Sequence, residues 1–141
     1  MRALALDVGR RRIGIAISDL TRTLARPHST LQVQANNALD RVLRAIAELA
    51  AEEDGVGEVV VGLPTRLNGD ATDQTAEVSR FVDALRRRLA IPVVTEGERL
   101  SSVEAESRLA VHERDWRKRK AQLDAAAAAV ILQDYLDRHS R

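Results

Sequence analysis

The sequence predicts an α/β fold, a mixed β-sheet flanked by α-helices. The chain opens on three short stretches with the alternation of strands, and from Asn37 onward helical and strand periodicities take turns. Composition agrees: 141 residues, 45% hydrophobic and 30% charged, are expected to form one soluble domain over 1–141 with a real core.

Residues 3–8 place Leu4, Leu6 and Val8 on one face of a strand and Ala3, Ala5 and Asp7 on the other. After a turn at 9–12, the run 13–18 sets Ile13, Ile15 and Ile17 against Gly14, Ala16 and Ser18, which predicts a hairpin. A third short strand is expected around 30–33. Asn37 can cap a helix in which Leu39, Val42, Leu43, Ile46, Leu49 and Ala50 recur at helical spacing, ending before the turn at 54–57. Val59, Val60 and Val61 then form a β-branched run typical of a strand buried on both faces. Gly62, Pro64, Asn68 and Gly69 read as a loop. From about Thr75, the residues Val78, Phe81, Val82, Leu85 and Leu89 predict a second helix, and 92–95 the next buried strand. Ser101 and Glu104 make a capping box for a short helix to about Ala110, the basic stretch 114–120 reads as a loop, and 123–136 is an alanine-rich last helix.

Several chemistries are excluded at this stage. The chain has no cysteine, so any metal must be held by oxygen or nitrogen. His28, His112 and His139 lack zinc-like spacing and are expected to be ordinary surface or loop residues. No apolar run is long enough to span a membrane, and Asp7 would interrupt a signal-peptide core, so a cytoplasmic protein without a membrane partner is expected. The net charge of +1, from 22 basic and 21 acidic side chains, gives little overall attraction to nucleic acid. Attraction must come from local clusters: Arg10, Arg11 and Arg12; Arg86, Arg87 and Arg88; and Arg114, Arg117, Lys118, Arg119 and Lys120 around Trp116. Basic runs of this kind also occur as plain solvated faces.

Three acids stand out. Asp7 lies inside the opening strand, where both propensity and burial disfavour a carboxylate. Asp124 starts a helix stripe continued by Ala128, Ile131, Leu132 and Tyr135, so it needs a cation, a hydrogen-bond network or exposure at the helix end; it also suits a helix N-terminal dipole. Glu98 falls just beyond a strand, where sites of α/β sheets collect, and could equally be a surface Glu paired with Arg99. Together they form an all-oxygen set suited to Mg²⁺ or Mn²⁺.

The blocks LDVGRRRIGIAISD, VVVGLP with NGD following, ERLSSVEAE and LDAAAAAVILQDYLD, in that order over nearly the whole chain, resemble those of the YqgF family. The resemblance implies an RNase H-like fold related to Holliday junction resolvases, with Asp7, Glu98 and Asp124 as metal-binding catalytic acids. It also implies a nuclease that processes the 5′ end of precursor 16S ribosomal RNA. Two metals in such a site would hold the phosphodiester for in-line displacement, leaving a 5′-phosphate and a 3′-hydroxyl. Two departures matter. Many members have Asp where this chain has Gly97, and resolvase relatives carry a second helix acid where this chain has Ala127 and Ala128. Nucleic-acid contacts are expected from Arg10, Arg11, Arg12, Arg99, Arg114, Arg117, Lys118, Arg119 and Lys120, with Trp116 stacking on an unpaired base.

The expected partner is structured RNA, with a ribosomal precursor particle as its setting and branched DNA as the alternative, bound by a monomer or homodimer. The rival readings are a junction resolvase acting in recombination and a non-catalytic, transcription-associated nucleic-acid binder. An inert binder has no reason to gather three acids beside a polyanion. The first block also resembles the phosphate-binding turn of actin-like ATPases, but those clamp ATP between two such domains and 141 residues supply one.

Overall fold

The computed structural model describes residues 1–64, 72–98 and 116–139, with side chains throughout except at 98 and 116–121. Its five-stranded sheet has the order β3-β2-β1-β4-β5. The strands are β1 (Arg2–Val8), β2 (Arg12–Ser18), β3 (Ala25–Gln32), β4 (Val56–Pro64) and β5 (Val93–Glu98). β1 pairs antiparallel with β2, and β2 with β3, while β4 and β5 run parallel to β1. Helices α1 (Ala38–Ala50) and α2 (Asp73–Arg88) link the parallel strands, and α3 (Trp116–His139) closes the described chain. The expected mixed sheet flanked by helices is what forms.

Alternation along the strands sorts two cores. Leu4, Leu6, Ile13, Ile15, Ile17, Val59 and Val61 pack with Val42, Ile46 and Leu49 of α1 and Val78, Val82 and Leu85 of α2. On the opposite face Ala3, Ala5, Ala16 and Val60 pack with Ala128, Ala129, Ile131, Leu132 and Leu136 of α3. Burying Ile131 and Leu132, at 1% and 0% exposure, stabilises the domain by roughly 1.5–3 kcal/mol each. The small sheet residues on that face let α3 lie close, and the approach is tightest at Gly14, where a Cβ would stand 1.9 Å from the Asp124 carbonyl oxygen.

The structure corrects several boundaries. β3 begins at Ala25, well before the stretch expected around Thr30, because Arg26, Pro27 and His28 are exposed on an edge strand and show no burial alternation. Asn37 precedes α1 without a side-chain cap bond to it; its Oδ1 instead accepts from the Gln34 backbone N–H at 2.7 Å. α2 begins at Asp73, capped by Thr72, whose hydroxyl accepts from the Thr75 N–H while the Thr75 hydroxyl accepts from the Thr72 N–H. β5 runs on through Glu98, so that residue ends the strand rather than following it. Residues 116–120, expected as a loop, are helical, since Arg and Lys are good helix formers even without apolar periodicity. The helix expected from Ser101 to Ala110 lies outside the described residues. No helix among the described residues is long and apolar enough to cross a membrane.

Candidate metal and nucleic-acid site at the carboxyl end of the sheet

Asp7 is the penultimate residue of β1 and pairs with Gly14 of β2. Residues paired across strands share a face, so Asp7 lies on the α3 side with Ala3 and Ala5. One step beyond the pair Leu6–Val61, Asp7 comes level with Gly62, which in turn pairs with Glu96. A row Gly14, Asp7, Gly62, Glu96 therefore crosses the sheet on this face, with no side chain between the two acids. Two strand spacings separate them, about 9.6 Å.

Asp124 reaches the same place from above. The contact of its backbone with Gly14 fixes α3 over β2, directly beside the strand that carries Asp7. Its carboxylate accepts from Arg12 Nε, with 2.6 Å between Oδ2 and the nitrogen; the two side chains are 23% and 31% exposed. Arg12 and Gly14 share a face of β2 by alternation, so this arginine looks toward the carboxylates. Ala127 and Ala128 are 1% and 0% exposed. Ala128 packs on the sheet.

Glu96 was not among the sequence candidates. It is buried, its Oε1 stands 2.5 Å from Arg138 Nη1 as an ion pair, and that oxygen accepts no hydrogen bond. Ending the strand at Thr95 hid it, although alternation from Val94 already pointed Glu96 to the same face. Glu98 pairs at the backbone with Pro64, at the carboxyl edge of the sheet two strands from β1 rather than beside it. Its side chain lies outside what the structure describes. Among the described residues no three acid or histidine side chains gather closely enough to form a ligand set. The donor chemistry still fits a hard cation, because Asp7 and Asp124 offer only oxygen; the Glu96 carboxylate is engaged by Arg138, near the end of α3 away from Asp124.

The cationic candidates separate. Arg10 points to the other side of the sheet and forms a two-bond pair with Glu77 of α2, at 2.8 and 3.1 Å. That hydrogen-bonded pairing raises the Arg10 pKa and lowers that of Glu77. Arg11 is exposed, without an ion pair among the described residues. Arg86 donates to the Val93 carbonyl at the start of β5, which puts the Arg86 to Arg88 run at the far end of the sheet from Asp7. Trp116, Arg117, Lys118, Arg119 and Lys120 occupy the opening turns of α3, and Arg99 and Arg114 fall outside the described residues, as does His112. His28 is an exposed strand residue beside Ser29, and His139 stacks on Tyr135. Among the described residues, a cleft of about 500 Å³ lies beside Arg10 and Phe81, and one of about 580 Å³ lies at the opposite sheet end beside Arg22, Glu58 and Tyr135.

Comparison with known proteins places these features in a lineage. Residues 1–138 match the family described as "RuvX: Holliday junction resolvase". A protein of Roseiflexus sp. (strain RS-1), carrying the name "Putative pre-16S rRNA nuclease", is 44% identical over 137 residues, covering 96% of this chain and 94% of its own. A protein of Chloroflexus aggregans with the same name is 47% identical over 134 residues, covering 95% and 92%. Among solved structures, the Fowlpox virus resolvase bound to Holliday junction DNA superposes with a TM-score of 0.62 at 12% identity, covering 100% of both chains. The T. thermophilus RuvC complex with a Holliday junction substrate gives 0.55 at 13% identity, covering 99% and 96%. The fold is RNase H-like, as the sequence resemblance implied.

Proposed function

The chain belongs to the RuvX family, and from that footing we propose that it is a divalent-metal-dependent nuclease that trims the 5′ end of precursor 16S ribosomal RNA. The observation that supports the reading is that two acids from opposite ends of the sequence share one glycine, Asp7 through its strand pairing with Gly14 and Asp124 through its backbone seated over that same residue. Helix burial alone does not require an acid at either position, and two acids beside a polyanion repel it unless a cation intervenes. The names of the relatives supply the RNA substrate.

Asp7 and Asp124 would hold Mg²⁺ or Mn²⁺, with Glu98 as the third acid from the end of β5. When bound, the ion would neutralise charge on the phosphate and make the attacking water easier to deprotonate. The chain supplies the placement. Asp7 is fixed by the central strand of the sheet, and Asp124 by a helix whose backbone rests on Gly14, so neither carboxylate depends on a loop for its position. The basic opening turns of α3 precede Asp124 and are the proposed path for the nucleic-acid backbone.

The second reading, cleavage of four-way DNA junctions, is favoured by the description of the matching family. The buried Ala127 and Ala128 argue for a thinner acidic set than a resolvase carries. Mg²⁺-dependent cleavage of a precursor ribosomal RNA and of a four-way DNA junction, run side by side, separates the two. Cleavage of the RNA at its 5′ flank with the junction intact is expected. The opposite pattern selects the junction reading, and binding to either without Mg²⁺-dependent cleavage refutes the nuclease.

A further inference from the structure

We propose that Arg12 exchanges partners during the reaction: its guanidinium holds Asp124 while no divalent ion is bound, and turns to a substrate phosphate once the ion takes that carboxylate. The inference rests on the metal-site reading above and assigns one residue within it.

The three consecutive arginines differ in what they touch. Arg10 is engaged by two bonds to Glu77 on the α2 side, and Arg11 faces solvent. Only Arg12 shares the sheet face of Gly14 and meets an acid of the site. That meeting is a single bond, Nε to Oδ2 at 2.6 Å, between side chains that are 31% and 23% exposed. The Nη groups of Arg12 and Oδ1 of Asp124 make no hydrogen bond among the described residues. A structural arginine looks different in this same molecule: Arg2 is 8% exposed and donates to the Gly55 and Leu49 carbonyls and to Glu52.

The backbones on both sides are held by main-chain contacts, whereas the two side chains are partly exposed. Arg12 sits in the β2 ladder opposite Gln32, its carbonyl accepting from the Gly9 N–H, while Asp124 is held against Gly14. Exchange therefore requires only side-chain rotation. A monodentate, part-exposed ion pair is weak enough to be displaced by a divalent ion. The released guanidinium has the planar fork that matches phosphate, and it stays within a side chain's reach of the place where the phosphate must lie.

The test measures ion binding by calorimetry on the full chain, with Ca²⁺ as the probe ion and no nucleic acid present, for the parent, Arg12→Gln, Asp124→Asn and the double variant. If Arg12 competes for the carboxylate, Arg12→Gln tightens Ca²⁺ binding by roughly fivefold or more, and the same change in the Asp124→Asn background has no effect. Binding of a single-stranded RNA oligonucleotide covers the second half. Arg12→Gln should lower the salt slope by about one with Ca²⁺ present and leave it unchanged without the ion. Unchanged or weaker Ca²⁺ binding in Arg12→Gln overturns the exchange and makes Arg12 a brace for Asp124, even if the parent binds ions. A salt slope that falls equally with and without the ion also overturns it. Absence of Ca²⁺ binding by the parent overturns the metal site itself, and the exchange with it.

Discussion

Gly14→Ala is the sharpest probe of how the site is built, because it adds one methyl at the point where helix and sheet touch. The new Cβ would lie 1.9 Å from the Asp124 oxygen, 2.3 Å from its carbonyl carbon and 2.8 Å from the Ala125 nitrogen, all backbone atoms that cannot rotate away. Reaching even a tight 3.0 Å contact with that oxygen requires α3 to retreat by roughly 1.1 Å. The retreat opens the interface that Ala128, Ile131 and Leu132 fill. Overpacking of this kind costs about 1–3 kcal/mol and here belongs at the upper end, because the obstacle is main chain on both sides. For a domain of this size each kcal/mol lowers Tm by about 3–4 °C, so a fall of about 10 °C is expected. A displacement near 1 Å at a ligand should also cost on the order of a hundredfold in cleavage. Calorimetric melting gives the first number and the Mg²⁺-dependent rate gives the second. A variant that melts within a degree of the parent and cleaves normally would refute the claim that Gly14 sets the position of Asp124.

Asp7→Asn should abolish Mg²⁺-dependent cleavage while the melting temperature stays within a few degrees, since the amide fills the same space; full activity would show that Asp7 is not a ligand. Replacing Arg117 and Arg119 together with Ala should weaken nucleic-acid binding by about 1 kcal/mol or more and flatten its salt dependence without altering ion binding. An unchanged affinity and slope would leave that turn of α3 as a solvated face. Tyr135, the single tyrosine of the chain, has its pKa pushed up from 10.0 to about 12 by burial and by its hydrogen bond to Glu58. Its folded-state pKa lies above the unfolded value, so the contribution to stability is complete below pH 10 and is lost as pH rises toward 12. Tyrosinate absorbance titrating at the unfolded value in the folded protein would contradict this.

Legibility followed burial. β1 and β2 were readable because each has one large-residue face and one small-residue face, and the two cores use them separately. The start of β3 was not, because an edge strand with Arg26, Pro27 and His28 exposed carries no alternation to read. The opening of α3 failed for a related reason: a run of basic residues has helix propensity but no apolar stripe. At the site, the acids were visible as anomalies, Asp7 in a strand and Asp124 on an apolar stripe. Their nearness depends on where α3 lies, which only the small row of Ala3, Ala5, Gly14 and Ala16 hinted at. Period two running back from Gly14 reaches Arg12, the first residue of β2, but could not separate it from Arg10, which has the same parity and lies before the strand. The partner of Arg10 lies 67 residues away and has no local signal.

The two ends of the sheet do different jobs, and α3 connects them. At the end where β1 and β4 begin, polar groups are tied down: Glu58 accepts from both Arg22 and Tyr135, and Arg2 has three acceptors. Gln133 adds a further tie by accepting from the Ala25 N–H and donating to the Thr23 carbonyl. Asp124 sits at the other end of the same helix, about 16 Å along the axis from Tyr135 at 1.5 Å per residue. Between those points the helix is anchored by close-packed alanines and by Ile131 and Leu132, so its axis cannot tilt without opening core contacts. The carboxylate at the site thus inherits its position from bonds formed at the far end of the sheet. A part-exposed ion pair with Arg12 can then serve as the movable element, because nothing else at that position needs to move.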